Sequence, residues 1–264
     1  MLLESKHQFD KETLTYLWEN HLIAVQYCNI ASTKTEDYSG EGRNALNKLW
    51  RYCKEGVLIG AFYRNFDSHK MMLGEIEKGS EIRIIEKNGY QNKTILLSKI
   101  KVICLSEFPL LSAIKPRQKA TNFWPSANKI LNALYTGVKL PHEVSSLAPG
   151  QLEVICYEYL RIQNILGHLL LPIGRTMPEI DICGINQKSE RVYAQVTHSK
   201  NREVINKKIE ILKEFDLNAP SKKFFFGPQE YFTTDAIVSY QPIEEVFAFM
   251  LEKFPVFVDA LLGF

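Results

Sequence analysis

Hydrophobic and polar positions in the carboxy-terminal half alternate between helical and strand-like patterns. Apolar residues recur at helical spacing from Leu152 to Leu160 and from Val204 to Phe215, which predicts an amphipathic helix in each stretch. Short apolar runs predict strands at His168–Ile173, Glu179–Ile185, Arg191–Thr197 and Lys222–Phe226, with a third helix at Ile243–Phe254. The order of helix, three strands, helix and strand, followed by a helical tail, predicts a mixed sheet sandwiched by helices.

Strands predominate in the pattern of the amino-terminal half. The run His21–Tyr27 is strand-like, and the apolar positions from Ala45 to Cys53 predict a helix that ends at Gly56. Further apolar runs follow at 57–63, 71–76 and 94–105. Before the last run, the pair Asn88-Gly89 predicts a hairpin turn, because both residues tolerate positive φ. This order predicts a small mixed β-barrel.

Two breaks in the pattern suggest a division into domains. The stretch Ser112–Trp124 is basic and contains proline, and residues 137–150 are rich in proline, glycine and serine. A short helical pattern lies between them. We therefore expect a first domain over residues 1–125, a helical linker over 126–149 and a second domain over 150–264.

Net charge alone does not identify a partner, because a formal charge of +2 is small for 264 residues. The distribution of charge is more informative. From Arg191 to Lys223 there are eight Lys and Arg against four Asp and Glu, whereas Phe224 to Phe264 holds one Lys against six acids. A basic segment of this kind can follow a nucleic-acid backbone, although a solvated helix face has the same composition.

The five cysteines lie mostly in apolar runs and form no C-x-x-C pair, which is typical of reduced thiols in a cytoplasmic protein. The amino terminus lacks the apolar region of a signal peptide, and no apolar run is long enough to span a membrane. We therefore expect a cytoplasmic protein without a membrane partner.

Candidate chemistry is concentrated in the segment PEIDICGINQKSERVYAQVTHSK. If its two apolar runs form a hairpin, Asp181 and Gln195 meet at the end of the sheet. Carboxylate and carbonyl oxygens suit Mg²⁺ or Mn²⁺, ions that assist phosphodiester hydrolysis. Asp181 is the predicted principal ligand, with Gln195, the Val196 carbonyl and Glu153 completing or orienting the shell. Alternatively, Asp181 is a turn residue, and Glu153 complements the positive end of its helix.

The order of elements, with an acid on the second strand and glutamine on the third, resembles the PD-(D/E)XK nucleases and their Gln-containing Mrr-type restriction endonuclease branch. The residues that carry the resemblance are Glu153, Asp181 and Gln195-Val196-Thr197. The resemblance implies a restriction-endonuclease-like αβββαβ sandwich whose catalytic residues include Asp181, Gln195 and Glu153. The family has a lysine where this chain has Thr197, so a substitute cation would come from Lys200, Lys207 or Lys208.

The runs HLIAVQY, LWRYCKEG, VLIGAFYRN and MLGEI resemble the PUA-like superfamily, and its EVE and ASCH branches most closely. The resemblance implies a mixed β-barrel with a base-sized pocket. Tyr38 and Tyr63, which lie near loops, are the predicted stacking residues. Trp50 is predicted to belong to the core, and Arg117 of the connector is a predicted phosphate contact.

These features predict an α/β and α+β protein that joins a reader of nucleic acid, including a modified base, to a metal-dependent endonuclease. DNA is the expected substrate and RNA the alternative, in modification-dependent restriction or phage defence. A second hypothesis is a nucleic-acid-binding regulator with an inactive nuclease-like domain, which Thr197 favours. A third is an effector subunit or homodimer that docks through the acidic, aromatic tail from Tyr231 to Phe264.

Overall fold

The computed structural model of the chain describes residues 2–5, 9–63, 66–108, 111, 125–174, 177, 179–215 and 220–263, with the backbone alone at 2–5 and 125–127. The chain forms two compact units, Met1–Lys139 and Leu140–Phe264. The division falls within the segment 126–149 that was predicted as a linker. The predicted class, α/β and α+β, is confirmed, because helices cover mixed sheets.

The first unit combines two sheets with three helices among its described residues. Its elements are β1 (Leu2–Ser5), α1 (Lys11–Glu19), β2 (Leu22–Val25), α2 (Gly40–Glu55), β3 (Val57–Tyr63), β4 (Asp67–Ile76), β5 (Arg83–Lys87), β6 (Tyr90–Leu96), β7 (Ser98–Cys104) and α3 (Pro125–Thr136). One sheet has the order β1-β3-β4-β7 and the other the order β2-β6-β5. Ile59 and Met72 of the first sheet share one core with Ile23 and Ile95 of the second.

The apolar run 94–105 contains parts of two strands. β6 ends at Leu96 and β7 begins at Ser98. Between them the Leu97 N–H donates to the His21 carbonyl at 2.9 Å, and Ser98 then pairs with Glu75 of the other sheet. The chain therefore passes from one sheet to the other at this point, a change that periodicity along a continuous apolar run does not reveal.

The predicted turn at Asn88-Gly89 is confirmed. Asn88 has φ 50° and Gly89 φ 77°, the two positive values that a type I′ hairpin requires. The Asn88 side chain also donates from Nδ2 to Asp10 Oδ2 at 2.8 Å, and Asp10 is the residue that caps α1. The hairpin of the second sheet is thereby tied to the first helix.

The second unit is one five-stranded sheet with helices on both faces. Its elements are α4 (Pro149–Ile162), β8 (His168–Leu169), β9 (Ile182–Ile185), β10 (Arg191–Val196), α5 (Arg202–Glu214), β11 (Ser221–Gly227), β12 (Val238–Pro242), α6 (Ile243–Lys253) and α7 (Pro255–Leu262). The strand order is β12-β11-β10-β9-β8. β10, β11 and β12 are parallel, whereas β8 and β9 are antiparallel to their neighbours. In the described ranges, no helix is both long enough and apolar enough to cross a membrane.

The acidic, aromatic tail from Tyr231 to Phe264 is part of this fold. Its strand β12 was not predicted from the sequence. β12 pairs in parallel with β11, and α6 buries Ile243, Val246, Phe247 and Met250. These residues are therefore not available to a docking partner. A docking role stays a prediction for the exposed side chains of the tail, such as Phe232 and Val256.

An ion pair connects α5 to the loop before β12. Lys213 Nζ lies 2.7 Å from Asp235 Oδ2, and the Ile237 N–H donates to Asp235 Oδ1 at 2.8 Å. The hydrogen bond from Lys213, followed by those from the backbone, lowers the pKa of Asp235 to about 2. Since the unfolded pKa is near 3.9, this ionised group contributes stability above about pH 4, and the contribution is lost as the pH falls toward 2.

We therefore expect the urea midpoint of the second unit to fall between pH 5 and pH 2, and the variant Asp235→Asn to reduce that dependence. The measurement is urea unfolding of the full chain at several pH values in this window. Glu252→Gln, which changes an exposed acid of the same unit, serves as the control. An equal pH dependence in Asp235→Asn and the unsubstituted chain would contradict the prediction.

Candidate metal and nucleic-acid site

Asp181 and Gln195 are brought together by the hairpin of β9 and β10. The strands pair with Ile182 opposite Ala194, and the Asp181 N–H donates to the Ala194 carbonyl at 3.0 Å. The turn is closed by Asn186, whose Oδ1 accepts from the backbone of Lys188 and Glu190, each at 2.9 Å. The register therefore places Asp181 immediately before β9 and opposite Gln195, near the end of β10.

The carboxylate of Asp181 is fixed through one oxygen. Gln195 Nε2 donates to Asp181 Oδ2 at 2.7 Å, and the Val196 N–H donates to the same oxygen at 2.8 Å. Asp181 Oδ1 accepts no hydrogen bond from the described part of the chain. Among the described residues, the carboxylate is thus held through Oδ2 alone.

Burial is the main influence on this carboxylate. It raises the pKa of Asp181, while the Val196 N–H, the charge of Lys208 and the Gln195 amide act in the opposite direction. Gln195 is itself buried, with 4% of its surface exposed, and its amide is used to hold the acid. A half-buried acid that keeps hydrogen-bond donors and a cation nearby is typical of functional sites.

Glu153 lies on α4, beside the loop that precedes Asp181. A Cβ atom at Gly174 would overlap Glu153 Oε2, so the carboxylate lies against the Gly174 backbone. The Gly174 N–H donates in turn to the Asp181 carbonyl at 2.8 Å. Burial raises the pKa of the Cys156 thiol well above its usual range, and the charges of Asp181 and then Glu153 add to the effect. Cys156 is therefore a buried thiol of the same helix as Glu153.

The three candidate cations differ in their relation to Asp181. Lys208 is half-buried on α5. Among the lysines that the structure describes, it is the one whose charge lowers the pKa of Asp181, although burial has the larger, opposite effect. Lys207 is exposed on the same helix, and Lys200 is exposed in the loop before it. The Lys200 carbonyl accepts a hydrogen bond from Tyr231 Oη at 2.7 Å. Electrostatics therefore favours Lys208 as the cation of the site.

Thr197 lies at the position where the resemblance of the sequence to PD-(D/E)XK nucleases predicts lysine. It is buried, with 9% of its surface exposed, and its Oγ1 accepts from the Ser199 N–H at 3.2 Å. The Thr197 N–H donates to the Phe226 carbonyl of β11 at 2.9 Å. This residue supports the path of the chain between β10 and α5, and it brings no charge to the site.

The donor set fits a hard, oxygen-binding cation. Within the described ranges, no group of three or more His, Cys, Asp or Glu side chains could hold a metal ion. Asp181 Oδ1 and the carbonyl oxygens of Gln195 and Val196 are the ligand types at this end of the sheet. Mg²⁺ is commonly bound by one or two carboxylates while it retains water and substrate phosphate, and such a set suits that ion.

The predicted stacking residues of the first unit are corrected by the structure. Tyr63 is fully buried, and its Oη donates to the Leu22 carbonyl at 2.6 Å. Tyr38 is 3% exposed, and its Oη donates to the Ser32 carbonyl at 2.6 Å. Neither ring presents a face to a base, because α1, β2 and the loop before α2 supply their surroundings.

Trp50, predicted to lie in the core, is instead 40% exposed. The buried stripe of α2 contains Leu46, Leu49 and Cys53, and Trp50 flanks this stripe. Its Nε1 donates to the Thr33 carbonyl at 2.9 Å. An exposed ring held at one edge in this way could stack on a base.

Arg117, the predicted phosphate contact of the connector, lies outside the described residues.

Sequence reasoning missed Gly174 as a residue of the site. The signal was a glycine in the short run LPIG, directly upstream of the acidic strand. Cys156 was also missed, although it lies three residues after Glu153 and so projects from the same side of a helix. Cys156 was interpreted as a reduced thiol of an apolar run, without reference to Asp181.

The sequence matches no family model and no curated protein. Among solved structures, the chain is similar to a structure of the EndoMS–dsDNA2 complex, with 8% identity, coverage of 70% of this chain and 69% of that chain, and a TM-score of 0.22. It is also similar to the crystal structure of a repair endonuclease from Pyrococcus abyssi, with 11% identity, coverage of 89% and 96%, and a TM-score of 0.23. At these TM-scores, the similarities establish neither a shared fold nor a shared function.

Proposed function

We propose that the second unit is a metal-dependent phosphodiesterase that cleaves DNA as an endonuclease. The proposal rests on the hydrogen bonds of the Asp181 carboxylate. Its Oδ2 accepts from Gln195 and Val196, while its Oδ1 accepts no hydrogen bond from the described residues. Placing an ionised carboxylate in a half-buried position costs free energy. Such a cost is typical of a group kept for binding or catalysis.

Bound Mg²⁺ or Mn²⁺ would neutralise phosphate charge and acidify the attacking water. Asp181 Oδ1 would be the main ligand, and Glu153 of α4 would provide a second carboxylate. Gln195 orients Asp181 through its amide and adds no negative charge. We therefore expect metal binding to strengthen when a substrate phosphate contributes its own oxygens.

The first unit is proposed as the reader of a nucleic-acid feature, such as a modified base, in modification-dependent restriction or phage defence. Trp50 replaces Tyr38 and Tyr63 as the proposed stacking residue, because its ring is partly exposed and base stacking requires an accessible ring face. Stacking on an aromatic ring contributes about 1–3 kcal/mol per base.

The function is tested by incubating the full chain with duplex DNA, both modified and unmodified, and with RNA, in Mg²⁺, Mn²⁺ or EDTA. Cleavage of DNA with either metal, and none with EDTA, is the expected result. Cleavage of RNA alone would redirect the proposal to a ribonuclease. Unchanged nucleic acid under every condition would overturn the enzymatic proposal.

The second candidate is a regulator that binds nucleic acid without cutting it. Its support is the buried Thr197, which supplies no charge where the family has lysine, together with the Gln195 amide donating to Asp181. Retention of DNA in a gel-shift assay, with no cleavage in either metal, would favour this candidate.

Lys208→Ala is expected to lower the rate of metal-dependent cleavage about 100-fold, the effect of removing one donor that stabilises charge in a transition state. The charge of Lys208 lowers the pKa of Asp181. The cleavage rate is measured at a saturating concentration of DNA. Lys207→Ala is the matched control, because it removes an exposed lysine from the adjacent position of α5.

The control is expected to change cleavage only a few-fold, and to reduce the salt dependence of DNA binding if Lys207 contacts phosphate. Equal losses in the two variants would contradict a specific role for Lys208.

A further inference from the structure

We propose that the segment 228–237, which joins β11 to β12, holds α5 at both of its ends and thereby positions Lys208 for the reaction. Tyr231 and Asp235 are the positioning residues of this segment. The inference rests on the proposed function, because it concerns the cation of that site. It also gives the start of the acidic, aromatic tail a role within its own unit.

This segment is itself fixed to the edge strand and to α6. The Pro228 carbonyl accepts from Tyr240 Oη of β12 at 2.8 Å, and the Gln229 N–H donates to Glu244 Oε2 of α6 at 2.9 Å. The Phe232 ring packs edge-on against the Tyr240 ring, with 5.7 Å between the centroids. Because the segment is attached to a strand and to a helix, it can hold a neighbouring element in place.

At the amino end of α5, the contact is a hydrogen bond from Tyr231. Its Oη donates to the Lys200 carbonyl at 2.7 Å, just before the helix begins at Arg202. Tyr231 also packs against the core cluster that contains Ile205 and Ile209 of α5. One side chain therefore contacts both the entrance of the helix and the core on which the helix rests.

At the carboxyl end of α5, the contact is the ion pair between Lys213 and Asp235. Lys213 Nζ lies 2.7 Å from Asp235 Oδ2, with the two side chains 24% and 20% exposed, and solvent ions screen such a partly buried pair only weakly. Lys223 of β11 also donates to the Lys213 carbonyl at 2.6 Å. This end therefore has a second hold, and the Tyr231 hydrogen bond is the more sensitive of the two contacts.

Lys208 lies on α5 between these two contacts, and its charge acts on Asp181. A helix held at both ends has little freedom to slide or to rotate, so the contacts fix the position of a side chain between them. Displacing a group by about 1 Å through a remote change can lower a reaction rate about 100-fold. Loosening α5 is therefore expected to reduce the contribution of Lys208 while the lysine itself is kept.

The double variant Tyr231→Phe/Asp235→Asn is expected to lower kcat for metal-dependent DNA cleavage about 10-fold, the lower end of the range for residues that orient a site. KM should change little, because Lys208 is proposed to act in the transition state. In the Lys208→Ala background the same double variant should cause no further loss, which is the non-additivity of residues that act through one group. A loss of stability alone would not produce this pattern. Where the double variant does not fold, Tyr231→Phe alone is used.

Hydrogen exchange of the full chain, followed by nuclear magnetic resonance, tests the contacts without cleavage. The Ile205 N–H donates to the Asn201 carbonyl in the first turn of α5, and its exchange in Tyr231→Phe should be about 3- to 10-fold faster, the effect of losing one hydrogen bond. Glu210→Gln is the matched control, because it removes the other ion pair of Lys213, 2.8 Å long and within α5 itself. This control should change neither the exchange nor the cleavage.

Unchanged exchange in α5 of the Tyr231 and Asp235 variants would overturn the inference. Faster exchange with cleavage equal to that of the unsubstituted chain would also overturn it, as would equal losses of cleavage with and without Lys208, and both results leave the proposed function standing. Absence of cleavage by the unsubstituted chain would overturn the proposed function and the role of Lys208 together.

Discussion

Replacing Asp181 with asparagine is expected to lower metal-dependent DNA cleavage at least about 100-fold without unfolding the second unit. Asparagine has the same shape and can still accept from the Val196 N–H, which donates at 2.8 Å to Asp181. It cannot offer an anionic oxygen to a cation. Because burial raises the pKa of Asp181, the ionised form is disfavoured in the folded state, and its removal should not lower the melting temperature at neutral pH.

The matched control is Asp259→Asn, which removes a carboxylate of α7 in the same unit. Asp259 Oδ1 lies 2.7 Å from His142 Nε2, and its side chain is 41% exposed. We expect cleavage in this variant to equal that of the unsubstituted chain. Comparable cleavage rates in Asp181→Asn and the unsubstituted chain would remove Asp181 from the mechanism.

Replacing Tyr63 with alanine is expected to destabilise the first unit by about 3–5 kcal/mol, the range for removing a large buried aromatic side chain. Tyr63 is fully buried, and its Oη donates to the Leu22 carbonyl at 2.6 Å. Its ring also packs edge-on against Trp18, with 5.3 Å between the centroids. Urea unfolding followed by tryptophan fluorescence measures the loss.

Trp50→Ala is the matched control and is expected to cost less than about 1 kcal/mol, because the ring is 40% exposed and exposed substitutions have small effects. The same variant should weaken DNA binding by the first unit, whereas Tyr63→Phe should affect stability alone. A larger destabilisation by Trp50→Ala than by Tyr63→Ala would contradict the assignment of core and surface.

The meeting of Asp181 and Gln195 could be predicted from the sequence because it depends on local rules. A turn joins two apolar runs, and alternation along each strand fixes which residues share a face. The Asn88-Gly89 turn could be predicted for the same reason. In each case the partners lie close together along the chain, so few alternative pairings compete.

Features set by distant segments could not be predicted. The burial of Tyr63 depends on Trp18 of α1 and on the Leu22 carbonyl of β2, and neither is visible in the pattern of β3. The choice of Lys208 over Lys207 depends on the path from β10 to the start of α5, which sets the rotation of the helix. β12 includes Pro242 and polar positions. Such residues are tolerated in an edge strand, but they interrupt the apolar pattern from which a strand is predicted.

The hairpin of β9 and β10 has a consequence for the order of folding. Asp181 and Gln195 are 14 residues apart, so their contact closes a short loop, which costs little entropy and forms rapidly. Gly174 contacts Asp181 from an earlier segment of the chain, and the charge of Lys208 acts on Asp181 only after α5 has packed. Pulsed hydrogen exchange during refolding should therefore protect the Asp181 amide, which donates to Ala194, before the amide of Gly174. A partly folded chain would therefore hold Asp181 in place before Lys208 brings its charge to the site.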